Sequence, residues 1–163
     1  MIKRLLLMLV LVCAAFSQGA ISIPPYMLSE SLRESRAHGA KLHDMQMQPN
    51  GDVVFRVGDY GDELRYELTY CRGSLISVKC IMFVEVKDKD YGARSAELEE
   101  FYAKFSDGAE KSFGEKGKVS GVEGGMGGIR RSWQNDVLSY SVTHNTRRPS
   151  IDLFIEAHPY LYR

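Results

Sequence analysis

The chain lacks an excess of charge of either sign: 21 Lys+Arg stand against 21 Asp+Glu over 163 residues. A cationic nucleic-acid binder shows a clear basic surplus, so no nucleic-acid partner is expected. Five prolines and 15 glycines are too few for a collagen-like or low-complexity chain, and a 44% apolar share with 10% aromatics excludes disorder. Three motifs of common chemistry are missing. No C-x-x-C offers a redox pair, no Gly-x-Ser-x-Gly elbow places a serine on a strained turn, and no Gly-Lys-Ser/Thr closes a phosphate loop. Each absence lowers the expectation of an enzyme. The lack of an Asn-x-Ser/Thr acceptor leans towards a bacterial chain.

Long apolar runs are scarce as well. Leu5–Phe16 is an apolar stretch of twelve residues, short of the roughly 20 that a membrane-crossing helix needs. It follows Lys3 and Arg4 and precedes small residues, which is the pattern of a secretory signal peptide over residues 1–20, cleaved after Ser17 or Ala20. The polar break at Ser17-Gln18-Gly19 argues against a stable membrane anchor, and Val12 before Cys13 does not suit lipid attachment. Removing 20 residues leaves 143, and the loss of Lys3 and Arg4 leaves 19 cationic against 21 anionic side chains, a net charge of −2. Residues 21–28, with Pro24 and Pro25, read as a linker, and residues 29–163 as a single α+β domain.

Cysteine is sparse too. With Cys13 lost, Cys71 and Cys80 are an even pair in an exported chain, so a disulfide between them is expected. A tight two-residue hairpin at Gly73-Ser74 would hold the two sulfurs apart. The disulfide therefore predicts a wider turn, or a bulge that shifts the register.

What is present is periodicity. Leu28, Leu32, Ser35, Gly39 and Leu42 form a narrow helical stripe, predicting an untidy helix over 29–47 that ends at the Pro49-Asn50-Gly51-Asp52 turn. Period-two alternation then marks three strands: Val53, Phe55 and Val57; Leu64, Tyr66, Leu68 and Tyr70; and Leu75–Val86, apolar enough to be central. Lys87–Gly92 reads as a polar loop. Ser95–Phe113 is the clearest helix, with Leu98, Phe101, Tyr102, Phe105, Ala109 and Phe113 on one face and Glu97, Glu99 and Glu100 in its first turns. After a glycine-laden stretch, 117–128, alternation at Ile129–Trp133, Leu138–Val142 and Ile151–Ala157 marks three more strands. The expected architecture is α+β: an antiparallel sheet of about six strands in helix-βββ-helix-βββ order, with the amphipathic helix on one face.

Candidate chemistry is thin. Gly121–Gly128 follows a helix and precedes a strand, the reverse of a phosphate cradle, and reads as a hairpin, a bulge or a flap over a pocket. Asp88-Lys89-Asp90-Tyr91-Gly92 with Glu99 imitates a calcium loop, yet Ala93 stands where the turn glycine is required. His38 and His43 are five apart, which does not suit a zinc pair, so no metal and no cofactor are expected. Arg131, Trp133, Arg147 and Arg148 are the candidate contact residues, because Arg and Trp concentrate at the energetic centres of interfaces. The reading that remains is a periplasmic or secreted non-enzymatic protein, of inhibitor or immunity type, that engages another protein. Its rivals are a carrier holding an apolar ligand between the 95–113 helix and the sheet, and a hydrolase using His144 or His158 as base.

Overall fold

The computed structural model describes residues 23, 25–38, 42–58, 64–83, 91–122, 127–147 and 149–158, with the backbone alone over 91–95. The leader expected over residues 1–20 and the acidic part of the calcium-like loop, Asp88–Asp90, lie outside them.

Helix α1 spans Leu32–Ala37. Its start is set by a capping box: the Ser31 hydroxyl accepts from the Glu34 amide at 3.3 Å, and the Glu34 carboxylate accepts from the Ser31 amide at 2.6 Å. The Ser31 amide and the Ser31 hydroxyl, which donates to the same carboxylate at 2.7 Å, hold the Glu34 carboxyl below its ordinary pKa. The helix stops at His38, and the chain returns as strand β1 over Leu42–Met47. This corrects the single helix expected over 29–47. An edge strand that tucks in little beyond Leu42 and leaves Met45 and Met47 exposed carries no period-two signal. A bulge between His43 and Gln46, with Asp44 at φ 51°, removes what alternation was left.

Strands β2 (Val53–Val57), β3 (Leu64–Cys71) and β4 (Ser74–Phe83) follow where the alternation placed them. The β3–β4 hairpin closes through Arg72-Gly73, both at positive φ (51° and 86°), the turn whose twist matches its strands. Cys71 therefore faces Ser74, and Cys80 faces Tyr66. At ~3.4 Å per residue those positions lie about 17 Å apart, far beyond the ~7 Å Cα limit of a disulfide. The expected disulfide is not formed, and both cysteines are buried thiols. A register shift does occur between Thr69 and Tyr70, but it does not bring the sulfurs together. Burial pushes the Cys80 thiol pKa up, with Asp152 adding to the effect and the Tyr66 hydrogen bond opposing it.

Helix α2 runs from Tyr91 to Phe113, starting four residues earlier than expected, so Glu97, Glu99 and Glu100 lie beyond its first turn. Four strands, not three, come after it: β5 (Lys118–Gly121), β6 (Gly128–Gln134), β7 (Leu138–Asn145) and β8 (Ser150–Ala157). Strand β5 is exposed throughout and has no apolar alternation to announce it. Among the described residues the order is thus α-ββββ-α-ββββ, and their eight strands form one antiparallel sheet in the order β1-β2-β3-β4-β8-β7-β6-β5. Two meanders lie back to back, joined where Cys80 faces Leu153 across the central pair β4 and β8.

One face of this sheet is covered. Over the second meander lies α2, burying Leu98, Phe101, Phe105 and Ala109 in a core shared with Tyr140, Val142, Leu153 and Ile155. Over the first lies the segment before β1. Ile23 and Tyr26, within the stretch expected as a linker, are buried, and the Tyr26 ring meets that of Tyr66 edge-on at 5.0 Å. A polar clasp fixes this segment. The Glu30 carboxylate accepts from the Ser35 hydroxyl and the Met27 amide and lies 3.3 Å from His38 Nε2, while Tyr70 donates to Ser35. Burial raises the Tyr26 pKa to about 12 and pushes those of Tyr66 and Tyr140 up as well.

Candidate functional site

Residues of opposite parity to the core point to the other face of the sheet. Cross-strand register lines them up in one row across all eight strands: His43, Arg56, Glu67, Lys79, Phe154, Ser141, Ser132 and Lys118. A parallel row runs Arg65, Ile81, Asp152, Thr143, Arg130 and Ser120. Opposed pairs are about 4.5–5.5 Å apart at Cβ, so each row is a chain of touching neighbours.

The aromatic rings this face shows, among the described residues, are Phe83 and Phe154, on the two central strands with Ile81. Charge surrounds them. On the β1–β4 side, Arg56 lies 4.0 Å from Asp44 and 3.8 Å from Glu67, and the Arg65 guanidinium sits 4.1 Å over the Phe83 ring. These groups, with Lys79, Asp152, Asn145 and Ser150, line a recess of about 450 Å³. Three cations there meet three carboxylates, and the recess is balanced.

On the β5–β8 side a second recess, about 700 Å³, is lined by Lys116, Lys118, Arg130, Glu115, Phe154 and the hydroxyls of Ser120, Ser132, Ser139 and Ser141. Its cations outnumber its carboxylates three to one. Among the described residues, none of the three lies within ion-pair distance of a carboxylate; Arg130 instead donates from Nε to the Thr143 hydroxyl at 3.1 Å. Arg130 and Lys118 are diagonal neighbours, with their strand positions about 7–8 Å apart.

The residues singled out from sequence fall elsewhere. Arg131 and Trp133 do share a face, but it is the covered one. Arg131 Nη1 donates to Glu110 of α2 at 2.8 Å, and Trp133, 3% exposed, donates from its indole nitrogen to the Glu115 carbonyl at 3.1 Å. The Trp133 ring is packed so closely that a Cβ on Gly117 would fall 2.5 Å from it. Both side chains thus hold α2 to the sheet. Arg147 is exposed on the β7–β8 turn at one end of the sheet, and Arg148 lies outside the described residues. His144 sits on the covered side beside Tyr102, with ring centroids 6.1 Å apart, whereas His158 follows the far end of β8. The two histidines therefore serve no common site.

Among the described residues, no group of three or more His, Cys, Asp or Glu side chains is placed to hold a metal ion, and no helix is long and apolar enough to cross a membrane. The open-face residues were hidden from sequence reasoning because a row exists only once register is known. The visible signal was the polar alternate positions Arg65, Glu67 and Thr69 of β3. Comparison of the chain with family models, with curated proteins and with solved structures returned no match.

Proposed function

We propose that this chain is an exported, non-enzymatic binding protein, of inhibitor or immunity type, that engages another protein through the open face of its sheet. Export rests on the leader pattern of residues 1–20 and implies a periplasmic or secreted protein. The observation that carries the binding role is the anatomy of the face: Ile81, Phe83 and Phe154 at its centre, with charged and hydroxyl side chains around them. Interfaces are built this way, with apolar anchors inside a polar rim that sets orientation and encounter rate. The carrier reading draws less support, since Leu98, Phe101, Phe105 and Ala109 of α2 are spent on core packing.

Photo-crosslinking tests the proposal. A photoreactive residue at position 79 or 154 should give a discrete protein adduct in an envelope or culture extract of the producing cells. The same residue at position 104, on the exposed side of α2, should give none. Equal labelling from all three positions, or from none, would rule out the open face as the binding surface.

A further inference from the structure

We infer that the β5 edge of the sheet receives the partner as an added strand, and that the received segment is extended and alternates acidic with apolar residues. The inference rests on the proposed protein-binding role and adds the chemistry of the partner.

Four observations converge on β5. Among the described residues it pairs only with β6, so its outer backbone edge faces no strand. Its open-face neighbours are cationic without carboxylate partners among those residues: Lys116 and Lys118 line the recess with Arg130. Its covered-face side chain, Val119, is 57% exposed, and Ile129 on the neighbouring strand is 48% exposed on the same side, beyond the reach of α2. Lys116, two residues before Lys118 and just ahead of β5, lines the same recess, so the cations continue past the start of the strand.

A strand laid against β5 satisfies all four at once. Its backbone completes the ladder. An acidic residue falls opposite Lys118, and another, two positions on, lies towards Lys116 just ahead of the strand. The intervening apolar residues cover Val119 and Ile129. A second copy of this chain does not supply the acidic partner: antiparallel self-pairing centred on Val119 would set Lys118 opposite Ser120. Short length and lysines also guard an edge against aggregation. A guard alone does not explain the exposed Val119 and Ile129 beside those lysines.

The test is binding of a fluorescein-labelled octapeptide alternating Glu and Val to the purified protein. Saturable binding is expected, weakened about tenfold by Lys118→Glu, which turns an attractive cross-strand pair into a repulsive one. Lys104→Glu should leave it unchanged, and N-methylation of alternate peptide amides should abolish it by removing the ladder bonds. Equal binding of a Lys–Val peptide, indifference to Lys118→Glu or to N-methylation, or no binding would each overturn the inference. So would a sulfated glycan that binds through Lys118 where the peptide does not. If the peptide fails while positions 79 and 154 still crosslink a protein, the edge inference falls and the open-face proposal stands. If crosslinking fails too, both fall.

Discussion

The two meanders share a topology and differ in how they use their free face. Around β1–β4, cations face carboxylates: Arg56 lies between Asp44 and Glu67, and Lys79 faces Glu67 across the strand pair. Around β5–β8 the recess holds one carboxylate, Glu115, and serines line it beside Lys116, Lys118 and Arg130. The covered faces differ in a matching way. The first meander is capped by a six-residue helix and a polar clasp through Glu30, Ser35 and Tyr70, the second by a 23-residue helix with an aromatic face. Neutral pairs on a sheet surface need no partner. A cluster of like charges costs stability, so its presence points to something that compensates it.

The largest test of this contrast lies in the two covers. Phe105→Ala should cost about 4 kcal/mol in urea unfolding, since a fully buried ring leaves a cavity between α2 and the sheet. Tyr70→Phe should cost only about 1 kcal/mol, the worth of one hydroxyl bond to the clasp. Comparable values would mean that the clasp, and not apolar packing, holds the first half together.

A smaller effect separates the free faces. Lys118→Gln should leave the protein as stable or raise stability by a few tenths of a kcal/mol, by relieving repulsion from Arg130. Arg56→Gln should lower it by about 0.5 kcal/mol or less, as expected of an exposed pair. If both changes destabilise alike in low salt, the difference in charge balance has no energetic content.

The smallest expected effect is zero. A disulfide reductant should not move the thermal midpoint of the protein. An aromatic disulfide reagent should find little thiol until the chain unfolds, because Cys80 is fully buried and Cys71 is 8% exposed. Reaction of no thiol even after unfolding would restore the disulfide and contradict the β3–β4 register.

Much of the fold was legible wherever burial imposes a period. Strands β2, β3, β4, β6, β7 and β8 and the body of α2 each present alternate or helical apolar positions to the core, and sequence reading placed all of them. The strands it missed, β1 and β5, are the two edges of the sheet. They bury little, so their residues answer to backbone pairing, which leaves no mark on composition. The side that Arg131 and Trp133 face was hidden for a related reason. Alternation puts them on one face but does not say which face is covered, and Glu110 and the Glu115 carbonyl claim them for α2.

The sequence by itself determined the mixed α+β class, the strong amphipathic helix, the central place of β4 and the near-neutral charge. Each follows from local periodicity or from composition. Only the tertiary structure decided that Cys71 and Cys80 lie far apart, that two meanders join through β4 and β8, and that eight positions scattered from His43 to Phe154, seven of them polar, form one row. Those outcomes depend on strand register, which is set by a two-residue turn and two bulges acting over distances that no window of sequence spans.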